Sequence, residues 1–325
     1  MTMISVLPAP PSDADADAWL AVLAAAHAHD LPGVPGPTRV EVAGRIQVPP
    51  VRGRALCLAA ADEDAEPHDW DGVAGLLLFT DPGNTHTAFL DAAVRPAARR
   101  RGVGTALWRR VREELEADGR TSVSCVADLG GPGEAFLTGL GFENVLTMAW
   151  YVQDTTVERG DPVLPAGYRW VSWNGIVPDE HAASAAVAHS AMEDAPSGGM
   201  DENTPLWDAE RVRAAQRLIL DRGGRILTVA AVTPAGDMAA YTELVLPDPH
   251  GVRATQYDTV VVPAHRGRGL GRAVKLRALA ELRALHPGVR QIATTVADEN
   301  GPMLAVNEAL GYRRERPCGV FQLKL

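Results

Sequence analysis

Residues Tyr257–Leu285 read YDTVVVPAHRGRGLGRAVKLRALAELRAL and contain three successive signals. The β-branched run Thr259–Val262 predicts a buried strand, and Pro263 ends it because proline cannot donate to a sheet ladder. A turn rich in arginine and glycine follows at 266–271, and apolar residues then recur at helical spacing. A strand, such a turn and a helix, in this order, direct free backbone N–H groups and the positive end of the helix dipole towards an anion.

The composition of the turn indicates a phosphate ligand. Glycine at positions 269 and 271 lets a phosphate approach the backbone donors, because a side chain there would hold it away. Neighbouring arginines add charge-assisted hydrogen bonds, worth about 1.5–3 kcal/mol each. The spacing Arg-x-x-Gly-x-Gly differs from the Walker loop and from GxGxxG. A tight strand-to-helix connection with no ligand would use the same glycines, so the turn needs support from the rest of the chain.

The spacing resembles the acetyl-CoA pyrophosphate loop of the GNAT superfamily of N-acetyltransferases, in which Gln/Arg-x-x-Gly-x-Gly/Ala follows a Val-x-Pro strand end. The matching residues are Val261, Pro263, Arg266, Gly269 and Gly271. The family's Asn-x-x-Ala…Leu-Gly-Phe helix and turn are matched by Asn300, Met303, Asn307, Leu310, Gly311 and Tyr312. The resemblance implies an α/β (α+β) fold with mixed, mostly antiparallel sheets flanked by helices, and acetyl-CoA as cosubstrate without a metal.

The resemblance also implies the cofactor contacts. In this half of the chain they are Val260, Val261, Val262, Arg266, Gly267, Arg268, Gly269, Leu270, Gly271, Arg272, Asn300 and Asn307. The family places the thioester carbonyl on a backbone N–H at a strand bulge, which corresponds here to Val260 or Val261.

The same motif occurs 167 residues earlier in the chain. Pro96, Arg99, Gly102 and Gly104 precede Pro263, Arg266, Gly269 and Gly271 by this distance, and Asp81-Pro82 precedes Asp248-Pro249 by it as well. Such a repeat predicts two related GNAT-like domains at 1–153 and 168–325, joined by a linker at 154–167. The first-half cofactor residues would be Val94, Arg99, Arg101, Gly102, Val103, Gly104 and Thr105. Residues 31–50, rich in proline and glycine, are predicted to be a connection.

Candidate catalytic residues lie in the second half. Acetylating an alkylammonium at neutral pH requires removal of a proton at a cost of about 4.6 kcal/mol, and a carboxylate can accept it. Glu243 lies inside an apolar strand, which is unusual for a carboxylate, although an edge or solvent-facing glutamate would have the same sequence context. Strict alternation places Thr255, Tyr257 and Thr259 on one face, and the resemblance directs positions 255 and 257 towards the acetyl group. Asp258 is predicted to face the other way and to be structural.

We therefore predict Glu243, Tyr257 and Asn307 as catalytic. The family's usual proton donor is a tyrosine at position 307, and the asparagine found here can bind sulfur but does not titrate. The proton would then come from Tyr257, Tyr241 or water. Glu193 and Asp194, in a polar segment predicted to be a mobile loop, are candidates for attracting a cationic acceptor, or they are ordinary loop acids.

The repeat also predicts a division of labour. Glu243 corresponds to Leu76 and Tyr257 to Leu90, so the candidate catalytic side chains become aliphatic in the first half while the Arg/Gly turn remains. The first domain is therefore predicted to be catalytically silent, whether it binds CoA or keeps the turn for its shape.

Composition excludes several classes of protein. The formal net charge of −10 argues against a nucleic-acid binder and favours a cationic substrate. No apolar run reaches the length of a membrane span, and no secretory leader is seen, so a cytoplasmic protein without membrane attachment is expected. The three cysteines are far apart and odd in number, which predicts neither a disulfide framework nor a zinc site.

The leading hypothesis is an acetyl-CoA-dependent N-acetyltransferase acting on a primary amine of a small molecule, with an arrangement similar to mycothiol-synthase-like tandem enzymes. A non-catalytic protein that binds or senses acyl-CoA is the alternative, and an enzyme acetylating protein amines is a third. The oligomeric state stays open.

Overall fold

The computed structural model describes residues 1–194 and 196–325, which form two compact units. The first comprises Met1–Leu146, Gly198–Asn203 and Gly319–Leu325. The second comprises Thr147–Ser197 and Thr204–Cys318. None of the helices described is both long enough and apolar enough to cross a bilayer.

The first unit contains a sheet with the strand order β1-β2-β3-β4-β5, in which only β4 and β5 run parallel. Its elements are β1 (Thr2–Val6), α1 (Asp13–Asp30), α2 (Arg39–Gln47), β2 (Gly53–Asp62), β3 (Gly72–Phe79), β4 (Thr87–Val94), α3 (Val103–Ala117), β5 (Ser122–Asp128) and α4 (Pro132–Gly139). Strand β6 (Glu143–Asp154) begins in this unit and continues into the second.

The second unit repeats this plan with the strand order β7-β8-β9-β10-β11-β6, where β10 and β11 are the parallel pair. Its elements are β7 (Arg169–Asn174), α5 (Asp179–Ser190), α6 (Ala209–Asp221), β8 (Arg225–Val232), β9 (Met238–Leu246), β10 (Arg253–Val261), α7 (Leu270–Leu285), β11 (Gln291–Ala297) and α8 (Gly301–Ala309). Strand β12 (Arg313–Lys324) begins in this unit and continues into the first. The predicted mixed, mostly antiparallel sheet flanked by helices is confirmed in both units.

Helices cover both faces of the second sheet. Leu276 and Leu279 of α7 pack on one face, against Leu244 of β9. On the other face, Ala185 of α5 and Val212 of α6 belong to the apolar cluster that includes Tyr241. Every residue of β9 is buried as a result, so a polar side chain on this strand must find its partners inside the protein.

The division into units differs from the predicted domain boundaries. Residues 198–203 and 319–325 belong to the first unit, although the sequence placed them in a domain at 168–325. Hydrogen bonds account for this: the N–H of Asp201 donates to Gln322 Oε1 over 2.7 Å, and the N–H of Leu325 donates to Thr121 O over 2.9 Å. Neither the polar segment nor the terminal strand shows this pairing in its own sequence.

Candidate active site

A bulge bends β10 beside the candidate acid. Gln256 is paired with Leu244 of β9, whereas Thr259 is paired with Thr242, so β10 carries one extra residue between them. Beyond the bulge, the hydroxyls of Thr259 and Thr242 lie 2.7 Å apart, on the face opposite to Glu243. The expected alternation of Thr255, Tyr257 and Thr259 on one face is therefore wrong, because a bulge interrupts the period of two.

The bulge brings Asp258 to the side of the sheet that bears Glu243. These carboxyl groups and the imidazole of His189, on α5, have polar atoms that all lie within 4.8 Å of one another. His189 Nδ1 is 3.4 Å from Asp258 Oδ2. Glu243 Oε1 accepts hydrogen bonds from Gln216 Nε2 at 2.9 Å and from Thr228 Oγ1 at 3.4 Å. The prediction that Asp258 lies on the opposite, non-reacting face is thus corrected. Sequence reasoning missed His189 because α5 is distant in the chain.

Burial shifts the pKa values of both carboxyl groups towards neutral pH and that of the imidazole away from it. Burial, and then the charge of Asp258, raise the pKa of Glu243 to about 7, against the two hydrogen bonds that lower it. Burial raises the pKa of Asp258 to about 6 and lowers that of His189 to about 4. The imidazole is therefore neutral at pH 7, while the carboxyl pair takes up and releases a proton there.

Aromatic side chains and unpartnered polar atoms border this cluster. The Trp207 ring stacks on His189 with centroids 4.0 Å apart, and the Tyr241 ring lies 5.2 Å from the same imidazole. The Tyr241 hydroxyl and His189 Nδ1 are buried and have no hydrogen-bond partner within the described residues. Buried polar atoms are rarely left in this state, so water or a polar ligand is expected to pair with them.

The predicted anion loop lies at the N-terminus of α7. Gly267 and Gly269 have φ angles of 76° and 75°, which favour glycine, and a Cβ atom on either would meet nothing within 4 Å. The first N–H groups of α7 have no intrahelical acceptor, as at any helix start. Arg268 donates to the Tyr168 hydroxyl over 2.7 Å. The predicted contacts from Arg266 to Arg272 therefore form one open turn that suits a diphosphate.

The two parallel strands separate beyond Thr255 and Ala293, before β10 reaches the loop. β10 and β11 are paired at Arg253–Thr255 and Gln291–Ala293, although they continue to Val261 and Ala297. Beyond this point the facing edges are not paired with each other, although the Gln256 carbonyl accepts a hydrogen bond of 3.2 Å from Thr294 Oγ1. An extended ligand such as the pantetheine arm can pair with backbone groups of these edges. The bulge lies earlier on the strand than Val260 and Val261, to which the resemblance assigned the thioester. Val262 donates its N–H to Ala239 O over 3.0 Å.

The other predicted site residues lie in different surroundings. Tyr257 is half exposed, whereas Asn307 is buried and its Oδ1 accepts a hydrogen bond of 2.6 Å from Lys275 Nζ. Asn300 caps α8, because its Oδ1 accepts from the N–H of Met303. Burial lowers the pKa of Lys275 to about 7. Sequence reasoning missed this lysine, because its neighbours in the chain do not distinguish it from a lysine on the surface of the helix.

Of the predicted acceptor residues, Asp194 ion-pairs with Arg266 at 2.6 Å, which places it beside the anion loop. The side chain of Glu193 lies outside the described residues. His189, Glu243 and Asp258 carry atoms that bind cations, but separations of up to 4.8 Å exceed the roughly 3.3 Å between the ligand atoms of tetrahedral zinc. We assign them no metal, and the predicted absence of a metal stays a prediction.

Comparison with known proteins identifies the family. A model of the acetyltransferase (GNAT) family matches residues 48–142 and 186–312, one segment in each unit's part of the chain. The chain belongs to the GNAT family. The prediction of an acetyltransferase built as a tandem GNAT protein is confirmed, and acetyl-CoA is the cosubstrate that this family uses.

Several relatives of this GNAT protein match over most of their length. The mycothiol acetyltransferase of Geodermatophilus obscurus is 30% identical over 272 residues, which are 82% of this chain and 80% of the relative. That of Pseudarthrobacter chlorophenolicus is 28% identical over 276 residues, 80% and 77% of the two chains. A solved tandem GNAT protein from the clavulanic acid biosynthesis pathway is 27% identical, with a TM-score of 0.81 over 99% of this chain and 98% of its own.

The first GNAT unit differs from the second at the corresponding positions. β3 and β4 keep one register from Leu78–Ala88 to Gly72–Val94, without a bulge. Arg99 is held by Asp30 through two hydrogen bonds of 2.7 and 2.6 Å. The ring of Phe136 would lie 3.3 Å from a Cβ atom on Gly104, so an aromatic side chain covers the start of α3. This unit keeps the predicted loop residues, from Val94 to Thr105, but its described residues include no cluster like that of His189, Glu243 and Asp258.

Proposed function

We propose that this acetyltransferase transfers the acetyl group of acetyl-CoA to a primary amine of a small molecule, and that the reaction takes place in the second unit. The cluster of Glu243, Asp258 and His189 carries this proposal. It combines a buried carboxyl group, Glu243, and a partly exposed one, Asp258, whose pKa values lie near neutrality, with a bulged strand next to the anion loop. The corresponding strands of the first unit contain Leu76 and no bulge.

The cluster suits an amine acceptor for an electrostatic reason. An alkylammonium entering beside two carboxyl groups is attracted by their charge and can pass a proton to the pair. The neutral nitrogen then attacks the thioester carbonyl, and the carbon–sulfur bond breaks as the amide forms. Glu243 serves as part of the base, while Tyr257, which the resemblance directs towards the acetyl group, lies within the bulge. Asn307 is retained as a proposed contact of the sulfur.

The names of the relatives support a small-molecule acceptor, since the curated relatives are mycothiol acetyltransferases. The net charge of −10 favours a cationic acceptor over a nucleic acid. Which amine is accepted is a separate question, answered by screening.

The test is thiol release from acetyl-CoA over a panel of primary amines, monitored with a thiol reagent. We expect turnover with at least one amine, and Glu243→Gln should lower that turnover at least about tenfold. Acetyl-CoA affinity, measured by isothermal titration calorimetry, should change little. Lack of turnover with every amine would contradict an amine acceptor, and full turnover in the variant would remove Glu243 from the mechanism.

A further inference from the structure

We propose that Asp258 is the side chain that takes the proton from the acceptor amine, and that Glu243 is a positioning residue that acts through it. This inference rests on the proposed function and assigns the deprotonation of the amine to one carboxylate. It is drawn from the bulge in β10, which sequence patterning did not reveal.

Accessibility separates the two carboxyl groups. The Asp258 side chain is 33% exposed, whereas Glu243 is 6% exposed. One oxygen of Glu243 is occupied by Gln216 and Thr228, which hold the carboxyl inside the protein. An amine arriving from solvent therefore meets Asp258 first, and Glu243 lies behind it.

The surroundings of Asp258 leave it free to act as a base. His189 faces it from α5, and Glu243 and Tyr241 face it from β9. At neutral pH the imidazole carries no charge, because burial lowers the pKa of His189 to about 4. No arginine or lysine among the described residues forms an ion pair with either carboxyl group. Proximity of two carboxyl groups favours a state in which the pair holds one proton.

The first unit shows what an aspartate at this position does without the bulge. Asp91 corresponds to Asp258 by the repeat, but it lies in a regular strand pair opposite Gly75. Its carboxylate ion-pairs with Arg45 Nη1 at 2.7 Å, and Leu76 replaces the second carboxyl. The fold therefore accommodates this aspartate as a surface ion pair, so a bulge and a buried glutamate are not needed for folding.

In the acetyl transfer, two protons leave the nitrogen and the carbon–sulfur bond is replaced by an amide bond. The ammonium gives one proton to the Asp258 carboxylate, and the nitrogen lone pair forms the bond to the carbonyl carbon. The carbon–sulfur bond then breaks and its electron pair stays on sulfur. The second proton of the nitrogen ends on that sulfur, giving the CoA thiol, and Asp258 returns its proton to solvent.

The experiment compares Asp258→Asn with Glu243→Gln, and Asp91→Asn is the matched control in the first unit. Profiles of kcat/KM against pH are recorded with an amine that the wild-type protein acetylates, and acetyl-CoA affinity is measured for each variant. We expect Asp258→Asn to lose about 100-fold or more in kcat/KM and to lose the acid limb of the profile. Glu243→Gln should lose about tenfold and keep the acid limb, moved to lower pH, because the neighbouring charge is gone. Asp91→Asn should match the wild type.

The opposite pattern overturns the proposal. If Asp258→Asn keeps turnover within about threefold while Glu243→Gln abolishes the acid limb, Glu243 is the direct base. An acid limb that stays in place in Glu243→Gln would show that Glu243 does not act through Asp258. If the proposed function is wrong, the result is different, because the wild-type protein would then consume no thioester with any amine.

Discussion

Replacing Lys275 with methionine should stabilise the protein at neutral pH. Lys275 is 4% exposed, and burial lowers its pKa from 10.5 to about 7. The unfolded chain binds this proton over a wider pH range than the folded chain does. The burial therefore costs stability fully below about pH 7, less as the pH rises, and nothing above about pH 10.5. At 1.36 kcal/mol for each pKa unit, the cost near pH 7 is roughly 4 kcal/mol.

Methionine removes this cost together with two favourable contacts. The hydrogen bond from Lys275 to Asn307 is worth about 1 kcal/mol, and the ammonium also lies 4.5 Å from the Tyr312 ring centroid, a contact worth about 1 kcal/mol. We expect Lys275→Met to raise the free energy of unfolding by roughly 2 kcal/mol at pH 7. Between pH 7 and pH 9 the ionisation cost falls by about 2 kcal/mol, and the amine becomes neutral and loses its cation–π contact, so the gain should fall to about 1 kcal/mol at pH 9.

Urea unfolding at the two pH values measures this gain. The chain has two lysines, so lysine labelled with ¹³C at Cε gives a simple NMR spectrum in which the titration of Lys275 can be followed directly. Lys324→Met is the matched control, because its side chain is 63% exposed and its ion pair with Asp201 is a surface contact worth about 0–1 kcal/mol. A lower free energy of unfolding for Lys275→Met at pH 7, or a Lys275 signal that titrates above pH 9, would refute the reasoning.

Three further outcomes are expected. Gly269→Val should weaken acetyl-CoA binding measured by calorimetry. Its control, Gly236→Val, also replaces a glycine of positive φ in open space, and it should cost about 1–2 kcal/mol of stability and leave affinity unchanged. Equal affinities in both variants would contradict a site at the loop. Trp207→Ala should admit water to His189 and raise the pKa of its imidazole from about 4 towards 6.5, which NMR would detect. A pKa still near 4 would show that the stacked Trp207 ring does not protect the imidazole from water. The three buried cysteines should resist a thiol reagent at pH 8 until the protein is unfolded, because burial raises the pKa of Cys57 to about 11. Rapid labelling of the folded protein would contradict their burial.

Features encoded within a few neighbouring residues were predictable. The end of β10, the positive-φ glycine at position 269 and the start of α7 all follow from the stretch around Arg266. The repeat predicted the tandem arrangement because equal spacing in two halves of a chain needs no knowledge of their contacts. Helix α2 was missed in a stretch rich in proline and glycine, although Thr38 and Glu41 form a capping box there.

Contacts between distant residues were not predictable in this way. Asp194 forms an ion pair with Arg266, and Asp30 forms one with the corresponding Arg99. The partners in each pair are far apart in the chain, so no local sequence pattern predicts the contact. Lys275 has the sequence context of a helix surface residue, and only the packing of α7 against α8 shows that it is buried against Asn307.

Glu243 and Asp258 show where local information ends. An acid within an apolar strand can be recognised from its neighbours in the chain, and Glu243 was found for that reason. The orientation of Asp258 depends on how β10 is paired with β9, because one extra residue in one strand turns the following side chains to the other face. Pairing register is a property of two strands together, set by their hydrogen bonds and by the helices packed on them, and the folded second unit was needed to place both carboxyl groups beside His189.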